Sequence, residues 1–382
     1  MHRMLRLWAL ILALALLAAA CGGSDESASD VDEADAAIEE TVETESEALT
    51  ETTTTTPGDD DVEEEAEESA AQTAPDGPIY PLTGEPLPAE DVAEHAAVVV
   101  KISNNDATAR DALDGLDVAD IIYEERIEVE ATRFAAVFHS ALPEQVGSVR
   151  SGRTSDVQIV ANLNRPVFAF SGANDGVHGQ LRAAETDGVL LRASADFGDP
   201  QFSRISDFSA PDNLVADVSR LVGVAPEDSE SPSPLFDYSN NVSELGRPSI
   251  GVRAEARTDA EYVWSESDGG YLRYQGGVPF VTRDGVHIAP ENVIILTTTY
   301  VPSQIDAQSV DAVTIGEGRV EVFSNGSLVV GTWSREFPRD PYTLTTADGE
   351  VIGLAPGQTW VSLSPALTST ELTEDEAEAL AG

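Results

Sequence analysis

From Gly22 to Pro78 the chain has no aromatic residue and consists mainly of Ser, Thr, Ala, Asp and Glu. Such a segment cannot bury enough apolar surface to offset the entropy lost on ordering it. The globular fold is thereby confined to roughly 300 residues from Ile79 onward, enough for a substantial core as one large domain or as two. No Lys or Arg lies between Arg6 and Lys101, while Glu39-Glu40, Asp59-Asp60-Asp61 and Glu63-Glu64-Glu65 cluster there, with a run of threonine at Thr52–Thr56. A neutral flexible chain of this length has an end-to-end distance of roughly 40 Å, and self-repulsion stretches it further. Residues 21–78 are therefore read as a disordered acidic tether.

The residues ahead of the tether set the compartment. Arg3 and Arg6 precede an unbroken apolar run, Leu7–Ala20, which ends in Ala18-Ala19-Ala20-Cys21. Charge, then apolar residues, then small residues at a cleavage point is the layout of a secretory signal, here residues 1–20. The run is shorter than the ~20 residues a membrane-spanning helix needs. A cysteine directly after the small residues resembles the lipobox of bacterial lipoproteins, although Ala18 stands where Leu is usual and Leu17 comes one step early. The resemblance implies that Cys21 becomes an acylated N-terminus, anchoring the protein to the extracytoplasmic face of the membrane. Each buried CH₂ contributes about 0.8 kcal/mol, so two or three acyl chains anchor where one is marginal.

Cys21 is also the only cysteine, which leaves the domain no disulfide, thiol nucleophile or cysteine metal ligand. With 69 acidic against 21 basic residues the chain lacks the basic surface that nucleic-acid binding needs. All of the basic residues but Lys101 are arginine.

The folded part reads as mixed α/β (α+β). Residues 79–224 alternate: strands are expected at Ala97–Ser103, Asp120–Tyr123, Arg133–His139 and Val167–Ser171, helices at Ser155–Leu163 and Asn213–Val222. That predicts an N-terminal α/β half with a mixed sheet. Ala225–Pro234 is a polar, proline-bearing break. Residues 235–365 form a β-rich half, with strands at Val293–Tyr300, Val320–Phe323 and Leu328–Trp333. Asn325-Gly326 and Asp348-Gly349 mark hairpins, because both central residues of a type I′ turn need positive φ. Residues 366–382 are expected as an acidic tail, with Glu371–Leu380 a short helix or frayed.

Several short motifs stand in order along this region. Pro81-Leu82-Thr83-Gly84, Ala119-Asp120-Ile121-Ile122-Tyr123-Glu124, Thr132-Arg133-Phe134 and Val146-Gly147-Ser148-Val149-Arg150-Ser151-Gly152-Arg153 lie in the first half. Gly270-Tyr271-Leu272-Arg273, Gly331-Thr332-Trp333-Ser334-Arg335 and Pro356-Gly357-Gln358-Thr359-Trp360 lie in the second. Together they resemble the YerB-like lipoproteins, a family of unknown function, from about Ile79 to Pro365. The resemblance implies a two-part fold and names no reaction. Two positions depart from the pattern: Ser148 stands where the family tends to have Pro, and Asp212 replaces the His of a Pro-His-Asn motif. The second loss argues against assigning a general-base role at that position.

Three constellations can carry chemistry. Arg110, Arg133, Arg150, Ser151, Arg153 and Thr154 are candidates for an anion pocket. Two guanidinium forks bind phosphate or carboxylate in bidentate fashion, and a helix starting near Ser155, capped by Thr154 or Ser155, adds its positive end. The alternative is structural, the arginines pairing internally with Asp120, Glu124, Glu128 or Glu130. Asp120, Glu128 and Glu130 are candidates for holding a divalent cation, or else a solvated strand face; no other cofactor is expected. Ser171, Gly172 and Asn174 form a glycine-bearing turn after a strand, either a ligand loop or ordinary turn chemistry. His95, His139, His178 and His287 show no metal-ligand spacing, and Trp264, Trp333 and Trp360 fit core packing.

The expected role is a non-catalytic envelope module that binds an anionic wall component or a partner protein. The alternative is a transferase similar to the LytR-CpsA-Psr enzymes, acting on a polyprenyl-pyrophosphate-linked wall polymer. That activity needs Asp120 close to Arg150 and Arg153 around a deep apolar groove.

Overall fold

Strands buried on both faces read as continuous apolar runs rather than alternating ones, and two of the expected strands have this character. β1 (Val98–Asn104) and β3 (Thr132–Phe138) are buried along their whole length. β2 (Ile121–Arg126) pairs antiparallel with β3, and β3 antiparallel with β1. These are central strands of an 11-stranded mixed sheet. From one edge it runs Thr343–Thr345, Ser327–Arg335, Gly316–Ser324, Asn292–Thr297, Thr359–Ser364, β2, β3, β1, Val167–Phe170 and Leu191–Ser194, with Arg247–Pro248 paired onto Ser327–Arg335. The computed structural model describes residues 77–88, 94–128, 131–254, 258–365 and 368–382. The signal segment, Cys21 and all but the last two residues of the tether lie outside them.

The two sequence halves do not build separate sheets. Thr359–Ser364, from the β-rich half, inserts beside β2, where the two run parallel. All of its residues are buried, and its other edge pairs in parallel with Asn292–Thr297. The expected division at 224/235 is a boundary in sequence that the sheet crosses.

Each face of the sheet carries its own core. On one face Val99, Tyr123, Val137, Phe168 and Phe170 pack with the helix Asp175–Thr186 through Val177 and Leu181. On the other, Val100, Ile122, Phe134 and Trp360 meet a five-stranded antiparallel sheet that supplies Val252, Tyr262 and Tyr271. Trp360 is fully buried and meets Phe134 edge-on at 5.1 Å, so it is core, as expected.

Of the two expected type I′ turns, the Asn-Gly one forms; at Asp348-Gly349 only the glycine takes positive φ, 83°. Asn325 and Gly326 both have positive φ, 49° and 66°, and close the hairpin at the pair Ser324 and Ser327. Two helices differ from expectation. Within Ser155–Leu163 only Asp156–Val160 is α-helical, because Asn164 and Arg165 turn to positive φ ahead of Pro166. Within Asn213–Val222 the first part, Leu214–Ala216, is a strand paired with Phe202–Arg204 and Val146-Gly147, and only Val218–Leu221 is α-helical, capped by Asp217. An apolar pattern this short fits either period, and the strand partner decides it. The expected acidic tail is partly ordered: Ser369–Glu371 pairs with Gly251–Ala254, and Glu374–Ala381 is a helix with a capping box from Thr373 and Glu376.

Candidate functional site

β1 and Val167–Phe170 run parallel, so their carboxyl ends lie together. The Arg-Ser segment crosses those ends. Arg150 donates its amide to the Lys101 carbonyl at 2.9 Å, Ser171 donates to the Arg150 carbonyl at 2.9 Å, and Gly152 donates to the Gly172 carbonyl at 3.1 Å. Open α/β sheets bind ligands outside the carboxyl ends of their parallel strands. The crossing is close: Gly172 has φ +86°, and a Cβ there would lie 2.7 Å from Ser151 Oγ, so only glycine fits.

Three guanidinium groups converge on this segment. Arg153 Nη2 meets Glu128 Oε1 at 2.5 Å, and Arg150 Nη1 meets Asp212 Oδ1 at 2.9 Å. Arg133 donates from Nη1 to the Ser151 carbonyl at 2.9 Å. Arg133 is only 4% exposed, its Nε has no hydrogen-bond partner, and among the described residues no carboxylate lies within ion-pair reach. Burial, with Arg153 and Arg150 beside it, pushes its pKa down to about 10. Ser103, its direct neighbour across the β1–β3 pairing, is also buried, with an unpartnered hydroxyl. The pocket reading and the internal-pair reading thus each describe part of the geometry. Arg153 takes one of the expected acids, Glu128. The partner of Arg150 is Asp212.

Beneath the arginines is a group that the sequence reading missed. Lys101, fully buried on β1, is held by Glu125 and lies 2.8 Å from Asp156 Oδ1. Its signal was available, since a lone lysine inside AVVVKIS must find an acid once that strand is buried. Asp156 Oδ2 also accepts the Arg153 amide at 2.6 Å. The expected helix end therefore offers little to an anion. Ser155 turns its hydroxyl to the Ala312 amide at 3.0 Å instead of capping, and Thr154 is buried, its hydroxyl toward the Val310 carbonyl at 3.5 Å.

Other candidates are placed apart from this cluster. Arg110, in the turn of helix Ala107–Asp111, lines a separate cavity of about 370 Å³ with Val278, Phe280 and Arg283. Asp120 sits just before β2, five residues from Glu125 and so roughly 16 Å along the strand. There it accepts hydrogen bonds from the Ser140 amide, at 3.0 Å, and the Ser140 hydroxyl, and burial pushes its pKa up to about 6. The cation set is thus not assembled: Asp120 is remote, Glu128 is taken by Arg153, and Glu130 lies outside the described residues. No group of three His, Cys, Asp or Glu suited to a metal occurs among the described residues. In the glycine-bearing turn the Gly172 amide and the Ser171 hydroxyl both donate to Asp196, at 2.6 and 3.4 Å. Asn174 caps the following helix through the Val177 amide and donates to Asp306.

Family models match both halves. Residues 82–231 match the N-terminal domain and residues 250–361 the C-terminal domain of a protein of unknown function (DUF3048). A Bacillus subtilis protein named as a lipoprotein, YerB, is 27% identical over 308 residues, covering 78% of this chain and 89% of that protein. The chain belongs to the YerB-like family. The crystal structure of the Bacillus subtilis YerB protein shares the YerB-like fold, with a TM-score of 0.65 at 24% identity over 77% of this chain and 99% of that one. The chain is thus a member of an uncharacterised lipoprotein family. No helix among the described residues is long and apolar enough to cross a membrane.

Proposed function

We propose that this protein is a lipid-anchored envelope module whose YerB-like domain binds a phosphate- or carboxylate-bearing envelope component through Arg133, Arg150 and Arg153. The observation that carries this reading is Arg133: a buried guanidinium flanked by two more and, among the described residues, without a carboxylate in ion-pair contact, at the carboxyl ends of parallel strands. Buried charges in proteins are paired as a rule, and a bound anion completes this one. The transferase alternative draws no support from the geometry, because Asp120 stands at the far end of β2, engaged with Ser140.

Titrating the soluble domain from Ile79 with phosphate and sulfate tests the pocket. Each anion should raise the melting temperature, and Arg150→Ala and Arg153→Ala should each weaken binding about tenfold or more, as a charge-assisted hydrogen bond of ~1.5–3 kcal/mol requires. Their pairs with Asp212 and Glu128 are partly exposed, so the unliganded variants should lose only about 0–1 kcal/mol of stability. Unchanged affinity in both variants would overturn the pocket. For the anchor, Cys21→Ala is expected to move the full-length protein from the membrane fraction to the soluble fraction. Retention in the membrane fraction at high salt would show that something other than acyl chains holds it.

A further inference from the structure

The anion reading leaves one group beneath the arginines unused. Glu125 is fully buried on β2, directly across the strand pairing from Arg133, and such paired residues have Cβ atoms about 5 Å apart. One of its oxygens meets Lys101; the other is buried with no hydrogen-bond partner. Lys101 is shared with Asp156, so one ammonium faces two acids where no water reaches them. The charged and titratable groups around Glu125 are Lys101 on β1, Asp156 on the helix Asp156–Val160, Arg133 on β3, Arg153 in the crossing segment, and Tyr300.

The balance among these groups changes when an anion arrives. A single lysine compensates one ionised acid well and a second poorly, and burial favours the neutral form of the surplus one. Arg133, which has no ion pair among the described residues, and Arg153, whose charge is shared with Glu128, oppose that. An anion seated on them takes up that charge and adds its own beside Glu125, and two negative groups so close in a dry wall do not both stay ionised. Resting on the anion reading above, we propose that Glu125 is part of the site and meets the bound anion as a neutral carboxylic acid, donating its proton to a ligand oxygen. No bond other than hydrogen bonds forms; the proton comes from solvent wherever free Glu125 is ionised. Burial already pushes this carboxyl upward before any ligand is present, with Lys101 opposing and Asp156 adding to the effect. The ligand class is an oxyanion with acceptor oxygens on more than one side, as in a phosphate ester, and affinity rises as pH falls.

Sulfate is the probe, because its own charge is constant between about pH 6 and about pH 8.5, a range that spans a carboxyl raised by burial. Calorimetric titration of the wild-type domain should show affinity falling by up to about tenfold per pH unit in the upper part of that range. Paired buffers of different ionisation enthalpy should count an uptake approaching one proton per sulfate there. Glu125→Gln keeps a donor without a titrating proton, so it should bind sulfate with a flat pH profile. A pH-independent wild type without proton uptake, or a Glu125→Gln domain that keeps the wild-type slope, overturns the proposal while leaving the anion site standing. Should Glu125→Gln fail to fold, the wild-type proton count decides alone. If the wild type binds no sulfate at any pH, or Arg150→Ala binds as tightly as wild type, the anion site itself is wrong and Glu125 falls with it.

Discussion

Arg273→Met is expected to destabilise the domain by about 3–5 kcal/mol, the usual cost of breaking a buried ion pair from one side. Arg273 is fully buried on the second sheet and reaches across the core to Glu124 Oε2 on β2 at 3.3 Å. Its guanidinium carbon lies 3.9 Å from the Phe280 ring centre and 4.5 Å from that of Trp360, so aromatic faces hold it in place of water. Glu124 also accepts from the Thr132 hydroxyl at 2.8 Å and from Trp360 Nε1 at 3.2 Å. Methionine fills most of the volume, so the loss comes from a carboxylate left between two sheets without its counter-charge. Converting that carboxylate to an amide, in Glu124→Gln with Arg273→Met, should recover a large part of it. Urea melts of the two variants measure both effects. A single-variant loss below about 1 kcal/mol, the range of an exposed pair, would mean that this pair does not tie the sheets together.

Lys101→Met should cost a similar ~3–5 kcal/mol near neutral pH, on the same grounds, but with a pH signature of its own. Without the ammonium, Glu125 faces Asp156 in a dry layer, and the Glu125 carboxyl, which burial and Asp156 push up and Lys101 holds down, rises further. A carboxyl whose folded pKa lies above its unfolded one favours the fold when protonated. That contribution is complete below the unfolded pKa and is lost as pH climbs through the raised folded value. The stability deficit of the variant should therefore shrink on acidification from about pH 8 to about pH 5, the interval where such raised carboxyls take up protons. Thermal melts of wild type and variant at both ends of that interval test it. A deficit that stays constant would assign the loss to packing alone.

The buried strands β1 and β3, the Asn325-Gly326 hairpin and the placing of the Arg-Ser segment near a helix start were legible in the residues. Each rests on a property that a few neighbouring residues decide among themselves, such as a run of apolar residues or two residues able to take positive φ. Membership of the YerB-like family was legible as well, because many short motifs in order are specific where no single one is. Tertiary structure decided who stands next to whom. Leu214–Ala216 became a strand because Phe202–Arg204 and Val146-Gly147 offered edges. Thr359–Ser364 joined the two halves by entering the sheet beside β2. Arg110 was separated from the other arginines, and Asp120 from Glu128. Arg150 found Asp212, 62 residues away, and Lys101 found Glu125 and Asp156 on different elements. The reason is physical. Dihedral preference and periodicity are local, whereas the worth of a charge depends on its burial and nearest counter-charge, both set by which strands the sheet makes neighbours.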